Sequence, residues 1–274
     1  MELYNFYEPR AEAIPILIDV PHAGELEPAE VTARCVAAYE RRKRDFDLYV
    51  DRFWSQSPSL GATMMVARYS RYVLDLNRSA EDVDAASVQA HPNPEGRFRR
   101  GLLWQVTAAG EPVLAEPLSQ AEYVQRVATY HQPYHAHLQA SLEAIRARFG
   151  YVVLIDAHSM PSVGRDDHPD PGEHRADIVP GTNQGRSCPA SLTAACTEVF
   201  EEHGLSVRVD HPYKGGWITR HYGRPQDGIH ALQIEVSRRV YMDEESFVIN
   251  EAGMTRLSEA CSAFVKRLST WRPS

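Results

Sequence analysis

Tyr151–Asp156, YVVLID, running on into Ala157-His158-Ser159, is the stretch on which the fold turns. Five apolar or aromatic residues end in an acid, and a helical stretch closed by Gly150 precedes them, so the run reads as a buried strand with a histidine just beyond it. Upstream, Ser119-Gln120-Ala121-Glu122 has the spacing of a capping box and opens a helical stretch to Phe149, which Pro133 should kink or split. Downstream come a loop rich in Pro, Gly, Asp and His to about Ser187, and a helix from about Pro189 to His203. A strand over Leu205–Val209, a Gly-rich polar segment over 211–228, a strand over Ile229–Val236 (IHALQIEV) and a terminal helix over 245–271 follow.

The N-terminal half repeats the alternation. Ile14–Val20 (IPILIDV) reads as a second buried strand, and it ends in Pro21-His22-Ala23-Gly24. Residues 29–56 have helical spacing. Met64–Arg68 and Tyr72–Leu76 read as two strands around a tight turn, and 77–118 is broken throughout by Pro and Gly. Strands alternating with helices predict an α/β fold with a mixed, mostly parallel sheet, in a single domain over 1–274. In such sheets ligands bind outside the carboxyl ends of strands, and His22, His158 and Glu235 all fall at or near such ends.

The composition narrows the function. Lys and Arg number 29 against 37 Asp and Glu, a net charge of −8, which argues against a general nucleic-acid or anionic-membrane binder. No apolar run is long enough to span a bilayer, and MELYNFYEPR lacks the layout of a signal peptide. Cys35, Cys188, Cys196 and Cys261 form no CxxC pair, which fits free thiols in a reducing cytoplasm.

Two histidines at strand ends plus a carboxylate would make a His₂-carboxylate metal site with a position open for water. These borderline-to-hard ligands suit zinc, with other divalent metals as alternatives. The carboxylate could be Glu25, three residues after His22, or Asp45, early in the next helical stretch. Isolated histidines are more often packing or surface residues; the shared placement of these two is what argues for a site. His131 and His135 have i,i+4 spacing, but there is no HExxH and Pro133 distorts the face between them. Asn77-Arg78 offers amide and guanidinium donors suited to a carboxylate, although a turn with a surface arginine has the same local sequence. Lys214-Gly215-Gly216, with Arg220 and His221, adds positive charge beside paired glycines that permit close backbone approach. A buried Glu235 would have a raised pKa suited to a general base, unless Arg238 or Arg239 pairs with it. There is no GxSxG elbow, and nothing supports Cys188 as a nucleophile.

Taken together, the segments resemble the N-formylglutamate amidohydrolase (N-formylglutamate deformylase) family. They are VPHAG (20–24), Asp45 before FDLYVDRF, RYVLDLNR (71–78), PYH (133–135), DAHSM (156–160), GTNQGRSC (181–188), KGGWITRHYGRP (214–225) and LQIEVSRRVYM (232–242). The resemblance implies a three-layer α/β/α fold like that of zinc carboxypeptidases, one Zn2+ per chain, and hydrolysis of N-formyl-L-glutamate to formate and L-glutamate, usually in histidine degradation. It implies His22, Asp45 and His158 as ligands, since the family pattern is acidic at the Asp45 position and need not be at Glu25. It further implies Glu235 as general base, Asn77 and Arg78 as the substrate-carboxylate clamp, and Arg220 and His221 as further pocket residues. The implied partner is this small molecule or a similar N-acyl acidic amino acid, with no nucleic acid and no membrane. The segment 79–118 departs most from the pattern.

Overall fold

The computed structural model describes residues 2–166 and 168–273. Six strands form one sheet: β1 (Tyr4–Tyr7), β2 (Ile16–Val20), β3 (Thr63–Ala67), β4 (Val152–Met160), β5 (Ile178–Gly181) and β6 (Ile229–Ser237), in the order β1-β3-β2-β4-β6-β5. The four inner strands run parallel, and β1 and β5 close the edges antiparallel. The sheet is therefore mixed and mostly parallel, as the alternation predicts.

Along each inner strand alternate residues enter different cores. Ile16, Ile18, Val153, Ile155, Leu232 and Ile234 pack under α6 (Ala190–Glu202) and α8 (Glu251–Thr270). Leu17, Val152, Leu154, Ile229 and Ala231 face α5 (Gln132–Phe149) and α7 (Trp217–Tyr222). Burying each such side chain contributes about 1.5–3 kcal/mol, so this two-sided burial fixes the register and the three layers. On the α5–α7 side the strands change character halfway along. Apolar Val152 and Leu154 give way to Asp156 and His158, and apolar Ile229 and Ala231 to Gln233 and Glu235, all of them buried. His158 lies directly opposite Glu235, and Asp156 opposite Gln233.

Several elements differ from the sequence expectation. The predicted strand at Tyr72–Leu76 is absent, because side chains of the long helix rather than a neighbouring strand satisfy part of that backbone. Leu205–Val209 makes only an isolated bridge, Ile178 to Val207. The short strands β1 and β5 and the helix α7 went unread inside polar segments. The helical region 29–56 is three one-turn pieces, Ala29–Thr32, Tyr39–Lys43 and Val50–Phe53. The Ser119 capping box forms as predicted, and the disturbance around Pro133 takes the form of a π-turn over Val127–His131 just before α5. Among the described residues, no helix is long and apolar enough to cross a membrane.

Candidate active site

His22 leaves the end of β2, and His158 projects from β4. Each ring is fixed by a buried acid: His22 Nε2 lies 2.7 Å from Asp75 Oδ1, and His158 Nε2 lies 2.7 Å from Asp156 Oδ1. An ionised carboxylate only accepts, so each ring places an N–H on Nε2 toward its acid and turns Nδ1 inward. Both Nδ1 atoms face Asp47 Oδ2, at 3.5 Å from His22 and 3.1 Å from His158. The ligand-capable atoms of the three residues lie within 4.8 Å of one another.

The carboxylate between the histidines is thus Asp47, where Asp45 or Glu25 was expected. Asp45 is held by the Tyr72 hydroxyl, by the Ala108 N–H at 2.9 Å and by Arg165 at 3.1 Å. Glu25 faces outward to Tyr39 and Lys43. The sequence Asp45-Phe46-Asp47-Leu48 buries Phe46 and Leu48 and offers two acids two residues apart, so nothing local distinguishes them. Arg238 makes the distinction: its guanidinium donates to Asp47 Oδ1 (3.2 Å), to the Phe46 and Arg44 carbonyls and to Ser159 Oγ, which orients Oδ2 toward the rings.

The donor set fits a divalent cation. Three lone-pair-bearing atoms converge in a buried space, and His22 Nδ1 has no hydrogen-bond partner. Orienting carboxylates on the far ring nitrogens are the usual support of histidine metal ligands. The electrostatics reflect the same convergence. Burial opposes a charge on His158, but the adjacent Asp156 and then Asp47 hold its pKa well above the ordinary histidine range. Burial alone would raise Asp47; the adjacent His158 and His22 rings keep it well below the usual carboxylate range. Asp19, opposite Asp156 in the sheet, is pushed up to about 8 by burial and by Asp156.

Among the described residues Glu235 makes no ion pair with an arginine. Arg238 is committed to Asp47, and Arg239 pairs with Asp177 at 3.0 Å. Gln233 Nε2 donates to Glu235 Oε1 at 2.8 Å. Burial raises its pKa, His158 pulls it back and Asp47 raises it again, leaving it at about 7. A carboxylate poised near neutrality beside a candidate metal site can move a proton in either direction.

These groups open onto a cavity of about 490 Å3. Asn77 packs beside His158 and accepts from the Ile218 N–H at 2.7 Å. Gly216 makes this approach possible, since a Cβ there would lie 2.2 Å from the Asn77 amide. The half-buried Arg78 guanidinium lines the cavity and donates to the Arg100 carbonyl (3.0 Å) and the Asn77 carbonyl (2.8 Å), with no carboxylate partner among the described residues. Burial lowers its pKa, offset by Asp75. Arg220 also lines the cavity. His221 does not: it stacks on Trp217 at 4.3 Å. The segment 79–118 is a packed wall that contributes Arg100 and Trp104, with Trp104 Nε1 donating to Asp75 at 2.9 Å.

Asp47, Asp75, Asp156 and Arg238 were missed as site residues. For two of them a signal existed, because Asp75 and Asp156 each precede a candidate residue (Asn77, His158) by two positions. In β4 this spacing puts Asp156 and His158 on one face.

A family model described as N-formylglutamate amidohydrolase matches residues 14–242. N-formylglutamate deformylase of Pseudomonas aeruginosa is 34% identical over 259 residues, spanning 93% of this chain and 91% of that protein. The deformylase of Pseudomonas putida is 34% identical over 257 residues, spanning 91% and 89%. The crystal structure of N-formylglutamate amidohydrolase from Ralstonia eutropha JMP134 superposes with a TM-score of 0.89 at 31% identity, covering 98% of both chains. With its paired histidines, its acids and its basic cavity on one such fold, the chain belongs to the N-formylglutamate amidohydrolase family.

Proposed function

We propose that the chain, as one catalytic domain, hydrolyses the formamide of N-formyl-L-glutamate to formate and L-glutamate, with one zinc ion held by His22, Asp47 and His158. The carrying observation is the inward-facing His22–Asp47–His158 cluster, with an arginine-free Glu235 directly across the sheet from His158. Bound there, zinc supplies Lewis acidity toward the formyl carbonyl and eases deprotonation of the attacking water. Glu235 accepts the water's proton and returns it to the leaving nitrogen, a role that suits a pKa near 7. Arg78 with Asn77 holds one substrate carboxylate and Arg220 the other, which draws a dianion into an acidic protein. The four free thiols, three of them buried, fit the cytoplasmic setting proposed here.

The test is formate release from N-formyl-L-glutamate by protein as purified, after chelation and after zinc is restored. Loss on chelation and recovery with zinc is the expected result. A zinc-loaded protein that releases no formate would remove this substrate and direct the search to other N-acyl acidic amino acids. Arg78→Ala is expected to raise KM by about 10- to 100-fold, the cost of one charge-assisted contact, with bound metal unchanged. An unaltered KM would remove Arg78 from the clamp.

A further inference from the structure

The residues after Tyr72 run past the site without joining the sheet, so their carbonyls lack ladder partners. One helical face meets four of them. Tyr123 Oη donates to the Ala80 carbonyl (2.7 Å), Arg126 Nη1 to Val73 (3.2 Å), His131 Nε2 to Arg78 (2.9 Å) and His135 Nε2 to Leu76 (3.0 Å). The π-turn makes this alignment possible: i→i+5 bonding returns His131 to the side of the helix that carries Arg126. Pro133, which has no N–H to give, follows directly.

The carbonyls of Leu76, Asn77 and Arg78 are successive. His135 takes the first and His131 the third, while the middle one accepts from the Arg78 side chain at 2.8 Å. The two imidazoles lie against each other, tilted by 46° with ring centroids 4.2 Å apart, and both lie beside the Trp217 ring. Tyr222 Oη sits 3.0 Å from His135 Nδ1. Burial, and for His135 the neighbouring His131, lowers both pKa values. The rings are thus neutral, each with its single proton on the nitrogen that meets a carbonyl.

We propose that His131 and His135 are positioning residues for substrate recognition: by clasping the carbonyls on either side of Asn77, they aim the Arg78 guanidinium at the substrate carboxylate. This rests on the function proposed above. Neither histidine touches the His–Asp–His cluster, so their effect should fall on substrate binding and spare the metal.

The test compares His131→Leu, which removes the donor, with His131→Gln, whose amide can replace it, each with and without Arg78→Ala. His131→Leu should raise KM for N-formyl-L-glutamate about tenfold, leave kcat within about twofold and leave zinc affinity unchanged. His131→Gln should recover most of that loss, and the effect of His131→Leu should vanish when Arg78 is already alanine. An equal fold-loss with and without Arg78, or a loss in kcat and zinc affinity at unchanged KM, would overturn the proposal. If the leucine variant gives no soluble protein, His131→Asn, too short to reach the Arg78 carbonyl, carries the same comparison. Formate release by the unaltered enzyme is measured alongside. Its absence would sink the substrate assignment, whereas normal release with additive effects of His131 and Arg78 would sink the positioning role.

Discussion

Glu235→Gln is expected to lower kcat by about 10²- to 10⁴-fold while the protein binds zinc as tightly as before. Glutamine keeps the shape and can still meet Gln233, but it cannot take a proton. The pH behaviour should change with it. With Glu235 as the proposed base the parent enzyme needs it ionised, so kcat/KM is expected to fall as pH drops through the pKa of this group. A cation beside the carboxylate draws that pKa below the value of about 7 set by the protein alone, and the residual activity of the variant lacks this acid limb. Stability supplies an independent reading in the metal-free protein. The folded pKa of Glu235 lies above its ordinary 4.5, so its contribution to stability is complete below about 4.5 and is lost as pH rises through about 7. Metal-free Glu235→Gln should therefore melt higher than metal-free parent at pH 8 and at the same temperature at pH 4. Near-normal turnover in the variant would end the role assigned to Glu235.

The second large effect separates two neighbouring acids. Asp47→Ala should weaken zinc binding by more than about 100-fold, read by competition with a chromophoric chelator, and activity should fall with metal content. It removes the acid that, alone among the described residues, faces both Nδ1 atoms, and leaves Arg238 buried without its carboxylate. Asp45→Asn should keep stoichiometric zinc, since Asp45 is occupied by Tyr72, Ala108 and Arg165. The opposite pattern, metal lost with Asp45 and kept without Asp47, would reverse the assignment.

The contrast between these two residues shows what a sequence of this kind makes legible. YVVLID and IPILIDV disclose buried strands because burial on both faces demands unbroken apolar runs, and their ends place His22 and His158 in one region. Glu235 could be placed by the same means. Asp47 could not, because the choice between positions 45 and 47 is made by Arg238, some 190 residues further on, and no local pattern carries that contact. The Tyr72–Leu76 stretch misleads for a related reason. Its apolar residues are buried as those of a strand would be, Tyr72, Val73, Leu74 and Leu76 alike, but part of its backbone bonds to a helix and not to a strand. β1 and β5 are four-residue edge strands, too short for their pattern to stand out from the surrounding loops.

The cross-strand register of His158 and Glu235 has a consequence for redesign. The carboxylate proposed to handle the proton and one histidine of the candidate metal site are neighbours in adjacent sheet strands, each with a supporting residue two positions earlier. The groups lining the substrate side of the cavity come mostly from segments outside the sheet. Hydrolytic power and substrate choice are therefore encoded in separable parts of the chain. Grafting a different 79–118 segment could retarget the enzyme to a bulkier acyl amino acid without moving the reacting groups. A single residue inserted early in β6 would instead carry Ile234 into the place of Glu235 and turn Gln233 and Glu235 into the apolar core under α6 and α8, so the fold would fail along with the activity.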